Sequence, residues 1–246
     1  MNKILGILGP LLCLLPATAQ AGLDLTWNAC NSSLGHDSDV VFDCADRAAG
    51  YNLFGCFQSP TRVDRFTGGE FSISILIDFP SVPAFWHFEP GGCNSVRGLV
   101  ASPTPGGLCS GATSVYGGTG CAVNQVFLEY QPGNGGLNRA RLFGTIVPCT
   151  PIPSIEAGPN YFGFMLRFSM MDAGSCGGCP SRATIVWESA TLHGAAARGG
   201  TEASQVTVTG PGLTSECATV NRPGSIPCGA TPARDRTWGA LKAFYR

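Results

Sequence analysis

Residues 71–79 carry the sharpest pattern in the chain. Phe71, Ile73, Ile75, Ile77 and Phe79 fall on one side of an alternation whose other side is Ser72, Ser74, Leu76 and Asp78. Successive side chains of an extended strand point to opposite faces, so a strict period of two predicts a half-buried β-strand. A helix would spread the same aromatic and β-branched residues around its whole circumference. Residues 160–170 repeat the signal, with Phe162, Phe164, Leu166 and Phe168 as an apolar face and Met165, Arg167 and Ser169 as a wetter one. Two such strands supply the facing apolar surfaces that a pair of packed sheets requires.

Weaker signals of the same kind fill the rest of the chain. Residues 23–27 predict a first strand, 40–42 a short strand or edge, and 51–57 another. Residues 123–130 and 139–147 flank a turn region at 131–138 and predict a hairpin, with Ala140 and Leu142 set against Arg139 and Arg141. Residues 183–192, with Ile185 and Trp187 on one face, and residues 205–209 predict two further strands. Residues 60–69 read as a connection, and Phe85-Trp86-His87-Phe88 as a short apolar piece. Residues 89–122 read as a long loop with a short strand near Leu99 and Val100, and the chain after Gly210 reads as loop to Arg236. In residues 237–246, Trp238, Leu241 and Tyr245 stand at helical spacing behind Thr237, a residue type that caps helices, which predicts a short C-terminal helix docked on the domain. The rival reading of that tail is a segment recognised by export or sorting machinery. About nine or ten short strands with turns between them predict an all-β sandwich, with a barrel as the alternative.

Composition agrees. Charged residues make up 13% of the chain, against about 25% in an average soluble protein. The 34 glycines and 18 prolines break helices and populate turns, while 44% hydrophobic residues suffice for a real core. The net charge is −1 and the basic residues are scattered, so no basic face for nucleic acid and no polybasic membrane patch is visible.

The N-terminus reads as a secretory signal. Lys3 precedes an apolar run from Ile4 to Leu15, Pro16 ends it, and Ala19-Gln20-Ala21 fits the small-x-small cleavage rule, as does Ala17-Thr18-Ala19. Cleavage after Ala21 leaves Gly22 first; cleavage after Ala19 is the alternative. Leu11-Leu12-Cys13 lacks the small residue that a lipoprotein signal places before its cysteine. The apolar run is shorter than the roughly 20 residues that span a bilayer, and no later segment is long and apolar enough to do so. The expected organisation is signal peptide 1–21, a single sandwich domain 22–230 and a tail 231–246, in a secreted, periplasmic or cell-surface setting.

Removing Cys13 with the signal leaves eleven cysteines, which in an exported chain predict disulfides and an odd thiol. Proximity in sequence favours Cys30 with Cys44, Cys93 with Cys109, Cys176 with Cys179, and Cys217 with Cys228. The first and last of these loops would stabilise the fold by about 3 kcal/mol each.

The segment Gly22-Leu23-Asp24-Leu25-Thr26-Trp27-Asn28-Ala29-Cys30 and the tail Thr237-Trp238-Gly239-Ala240-Leu241-Lys242-Ala243-Phe244-Tyr245-Arg246 resemble the two ends of a group of uncharacterised exported bacterial proteins. The Cys176-Gly177-Gly178-Cys179 turn after a Phe-rich strand fits the same group. More loosely, the order of strands is similar to cohesin-type and immunoglobulin-like sandwiches, a fold analogy that brings no function with it.

No catalytic constellation stands out. Cys176-Gly177-Gly178-Cys179 has nothing helical around it to lower a thiol's pKa, so a turn-stapling disulfide is the expectation. A zinc site would need two more ligands. His87-Phe88-Glu89-Pro90 with Cys93 has half the spacing of a zinc deaminase, but the matching Pro-Cys-x-x-Cys is missing. The three histidines, His36, His87 and His193, have no nucleophile elbow near them. Asp37, Asp39, Asp43 and Asp46 cluster oxygens of the kind Ca2+ uses, without the glycine pattern of a calcium loop, and read as a solvated acidic turn. Sugar binding or cleavage would draw on Glu70, Asp78, Glu89, Glu129, Glu156 and Glu188 and on Trp86, Phe88, Tyr116 and Tyr130, none of which sequence can pair. The expectation is an exported, non-catalytic binding, adhesion or envelope protein with no resident cofactor and an unidentified protein or glycan partner. A carbohydrate-binding module and an exported hydrolase are the rivals.

Overall fold

The two strongly alternating segments lie in opposite sheets and meet. The computed structural model describes residues 21–95, 97–116, 125–148, 154–196 and 204–222. Its strands are β1 (Gly22–Trp27), β2 (Asp39–Val40), β3 (Gly50–Gln58), β4 (Val63–Asp64), β5 (Phe66–Ile77), β6 (Leu99–Ser102), β7 (Thr113–Ser114), β8 (Gln125–Pro132), β9 (Arg139–Val147), β10 (Ser154–Ile155), β11 (Asn160–Ser169), β12 (Ala183–Gly194), β13 (Ser204–Val208) and β14 (Cys217–Val220). The smaller sheet runs β1-β3-β11-β6, with β7 added in parallel to β11. The larger runs β2-β14-β12-β5-β9-β8, with β13 on β12, and β4 pairs with β10 in a separate short ladder. The fold is an all-β sandwich with disulfide-stapled loops. The helix expected at 237–246 lies outside the described residues, as do residues 1–20 of the expected signal peptide 1–21.

The inner faces follow from the register. In the large sheet, Phe71, Ile73 and Ile75 oppose Gly144, Leu142 and Ala140 on one side and Ala190, Trp187 and Ile185 on the other, all buried. In the small sheet, Leu23, Leu25 and Trp27 oppose Phe57, Gly55 and Leu53, which oppose Tyr161, Phe164 and Leu166. At the centre, the rings of Phe71 and Phe164 stack across the sandwich with centroids 4.2 Å apart and planes at 18°. Each ring lies over a glycine of the adjoining strand. A Cβ on Gly144 would collide with the Phe71 ring, and one on Gly55 with the Phe164 ring. A glycine inside a strand weakens the strand by itself and marks a close approach; here the approaching group is an aromatic ring on either side of the core.

Three expectations need correction. The strand expected at 71–79 runs Phe66–Ile77, extending back through the supposed connection, and Phe79 lies beyond its end and is 54% exposed. The segment after Gly210 contains β14, whose four residues are all buried between β12 and β2, so it shows no alternation to read. Phe162 does not share the face of Phe164. A register shift at Gly163 sets Tyr161 inward against Phe57 and turns Phe162 outward beside Cys56. This is the effect of a β-bulge, which re-aims the residues before it.

Phe162 is nevertheless buried, because a second layer covers the outer face of the small sheet. Its ring packs 6.4 Å from Phe54 and 6.2 Å from Tyr116, whose hydroxyl donates to the Gly163 carbonyl. Segments 28–37 and 108–116 form this layer, joined by Cys30 N–H to the Leu108 carbonyl (3.0 Å) and by the Ser33 hydroxyl to the Ser110 carbonyl (3.0 Å). Beneath it, the buried Asp24 carboxylate accepts from Asn31 Nδ2 at 2.7 Å, Leu213 N–H at 2.9 Å, Thr214 N–H at 2.6 Å and the Thr214 hydroxyl at 2.9 Å. A buried charge is tolerable when so many donors surround it.

The disulfides link segments distant in sequence rather than neighbours. Cys30 pairs with Cys109, Cys44 with Cys179 and Cys93 with Cys176, over separations of 79, 135 and 83 residues. The expected Cys30–Cys44, Cys93–Cys109 and Cys176–Cys179 bridges are therefore replaced. Sheet topology brings loop ends together without regard to chain separation, and the turn 176–179 sends its two thiols to different loops. Cys217 is also disulfide-bonded; its expected partner, Cys228, lies outside the described residues.

Truncating Phe164→Ala is expected to cost about 3–5 kcal/mol by opening the centre of the core. Gly144→Ala, which displaces the Phe71 ring, should cost about 1–3 kcal/mol. Both are read as a lower urea midpoint at unchanged slope.

Candidate functional site

The outer face of the large sheet is built from the residues that alternate with its core. Opposite pairs on this face are Ser72 with Phe143, Ser74 with Arg141 and Glu70 with Thr145 between β5 and β9, and Glu129 with Phe143 and Phe127 with Thr145 between β8 and β9. Glu188 follows the inward Trp187 and so falls on the same face, and a register shift between Trp187 and Ser189 in β12 then sets Ala190 inward. Without it, Thr191 would point into the core in place of Leu192.

Glu188 organises this face. Its carboxylate accepts from the Ser74 hydroxyl at 2.6 Å, the Ser72 hydroxyl at 3.3 Å and the Arg141 guanidinium at 2.8 Å. Arg141 in turn lies 6.0 Å from the centre of the Phe143 ring. Phe143 and Phe127 are diagonal neighbours across the β8–β9 hairpin, roughly 7–8 Å apart by strand geometry. Phe127 is 54% exposed although it sits on a sheet. Beside these rings lies a recess of about 280 Å3 lined by Glu70, Phe71, Phe127, Leu128, Glu129, Phe143, Gly144 and Thr145. His193 stands beside it, Nε2 3.9 Å from Glu70 Oε1. Apolar rings flanked by carboxylates, a hydroxyl and a fixed guanidinium can hold a ligand that has both C–H faces and hydroxyl groups.

Three of the carboxylates singled out in the sequence, Glu70, Glu129 and Glu188, lie on this face, with Glu70 and Glu129 at the recess. The aromatic residues expected to serve a sugar do not. Trp86, Phe88 and Tyr116 are buried in the core or under the covering layer. Tyr130 points inward and its hydroxyl donates to the Trp86 carbonyl. Burial pushes the Tyr116 and Tyr130 phenols up, with the Glu89 charge adding to the effect at Tyr130. The rings that this face offers among the described residues are Phe127 and Phe143. Their signal was present in the hairpin alternation, where Phe127 shares the outward column with Glu129 and Gln131 while Val126, Leu128 and Tyr130 turn in.

The other motifs disperse. His87 pairs with Glu89 at 2.6 Å and its Nε2 faces the Val82 carbonyl at 3.1 Å, while the nearby Cys93 is bonded to Cys176. Among the described residues none of His36, His87 and His193 hydrogen-bonds a serine hydroxyl. Asp37 accepts from Asn28, Asp39 from the Thr219 hydroxyl, Asp43 from the amides of Ala45 and Asp46, and Asp46 from Ala48. These carboxylates do not converge on a common point. The group of potential ligand atoms that does converge, among the described residues, is the sulfur trio of Cys30, Cys56 and Cys109, all within 4.8 Å of one another.

No protein-family model matches the chain, and a search of curated proteins finds no significant match.

The Arg141–Glu188 pair is about one-third exposed on each side, so a double-mutant cycle of Arg141→Ala and Glu188→Ala should give a coupling of only about 0.5–1 kcal/mol. A larger value, from urea titrations of the four proteins, would mean that the pair is a structural keystone rather than a feature of the surface.

Proposed function

We propose that the chain is an exported, non-catalytic sandwich of the broad immunoglobulin- or cohesin-like kind. Its role is binding at or outside the cell envelope, and its ligand is a glycan seated on the outer face of the large sheet. The observation that carries this reading is the recess beside Phe127 and Phe143. Leaving a phenyl ring in water on an otherwise polar sheet forgoes part of the roughly 1.5–3 kcal/mol that burying it would contribute. A sugar ring laid on it recovers that burial. Glu70, Glu129 and Thr145 then stand where hydroxyl groups need partners, and the Arg141–Glu188 pair lies alongside on the same face. Both Glu70 and Glu129 project from the same sheet face, which suits holding a chain of sugars more than attacking a bond from two sides. The disulfides and the signal-like N-terminus support an oxidising location. Among the described residues no helix is long and apolar enough to cross a membrane.

A glycan array probed with the mature protein should return hits, and titration calorimetry of the best hit should weaken at least tenfold in Phe127→Ala and in Phe143→Ala, both still folded by circular dichroism. An empty array, or hits bound equally well by both variants, would count against the reading and favour a protein partner.

A further inference from the structure

Cys56 is a free, fully buried cysteine on β3, on the outer face of the small sheet. Its Sγ lies 3.0 Å from Sγ of Cys30, which is already bonded to Cys109. Cys30 comes from segment 28–37 and Cys109 from segment 108–116, so this bond is the covalent clasp of the layer covering that face. The three sulfurs are all buried, but the residues that carry them differ in exposure. Cys30 and Cys56 are wholly buried, whereas Cys109 is half-buried in a loop next to the exposed Leu108. A thiol in contact with a disulfide has the arrangement that precedes thiol–disulfide exchange.

We propose that Cys30 is shared between two partners, so that exchange converts the Cys30–Cys109 bridge into Cys30–Cys56 and leaves a free thiol on Cys109, in the covering layer. In the step, Cys56 loses its proton and its thiolate attacks Cys30 Sγ. The Cys56–Cys30 bond forms as the Cys30–Cys109 bond breaks. Cys109 leaves as a thiolate and takes up a proton. One thiol and one disulfide become one thiol and one disulfide, so no oxidant or reductant is consumed. The leaving sulfur belongs to a half-buried loop residue of the covering layer, which can draw away once released. The brake is also visible. Burial, with the Asp24 charge adding to it, pushes the Cys56 thiol up, and a backbone hydrogen bond from Asn31 offsets this only in part. Exchange therefore proceeds slowly, through the small thiolate fraction or through brief opening of the covering layer. After exchange the layer keeps its hydrogen bonds from Cys30 N–H to Leu108 and from Ser32 and Ser33 to Ser110 but loses its covalent tie. Cys109 becomes a modification site for soft electrophiles, or for a disulfide compound that transfers one half to it.

The test uses the whole folded protein, purified without reductant and incubated with iodoacetamide at pH 8. Acid quenching, non-reducing digestion and peptide mass mapping follow, with cleavage after Arg47, Arg62 and Arg97 separating the three cysteines. The expected result is a time-dependent carbamidomethyl group on Cys109, appearing with a Cys30–Cys56 linked peptide and at least tenfold faster than any label on Cys56. In Cys56→Ser the Cys109 label falls to background. Cys109→Ser recovers the Cys30–Cys56 bridge in full. Should the native protein retain Cys30–Cys109 as its sole linkage of the trio, with Cys56 labelled only after unfolding, the proposal is overturned. This holds whether or not either variant folds, because the wild-type map alone decides it.

Discussion

The stack of Phe71 on Phe164, seated on Gly144 and Gly55, is the constraint that fixes the rest of the sandwich. Packed sheets stand about 10 Å apart. Two flat rings at 4.2 Å, each against a glycine backbone, fill that gap with the largest apolar groups that the spacing admits. The arrangement works in one register only. A slip by one residue between β5 and β9 would put a side chain under the Phe71 ring and turn every alternate residue to the other face. The same pairing that sets Phe71 over Gly144 sets Glu70 beside Thr145 and, one strand further, Phe127. The recess on the outer face is thus specified by the core beneath it.

Two bulges tune what the alternation alone would give. The one at Gly163 hands Phe162 to the covering layer and keeps Phe164 for the centre. The one at Glu188 returns Ala190 and Leu192 to the core after the outward Glu188 and Ser189. Each inserts a single residue, and each changes which side of the sheet a functional or core group occupies. The small sheet ends up buried on both sides where segments 28–37 and 108–116 lie over it, which is why Asp24 and Thr26 in β1 are as inaccessible as Leu25.

Much of the fold was legible because period-two patterning is local. The 71–79 and 160–170 signals, the 125–147 hairpin and the β1 segment all reflect a backbone periodicity that needs no distant information. What escaped was non-local or non-periodic. Cys44 finds Cys179 through the topology of the sheets, and no spacing rule conveys that. β14 is buried on both faces and has no alternation. The role of Gly144 is invisible until Phe71 is known to lie over it. The site was half legible: Glu70, Glu129 and Glu188 stood out as carboxylates in or near strands, whereas the aromatic partners were sought among rings that the core claims. Burial competes for aromatic side chains, and only the strand face decides which ones remain for a ligand.

The cross-links overlap rather than standing side by side. Cys30–Cys109, Cys44–Cys179 and Cys93–Cys176 together span every peptide bond from residue 30 to residue 179. Between residues 93 and 109 all three run in parallel. A protease that cuts any one exposed loop in this stretch releases no fragment, since the two halves stay covalently joined through at least one bridge. The chain can thus be nicked in any one of these loops and still remain one molecule.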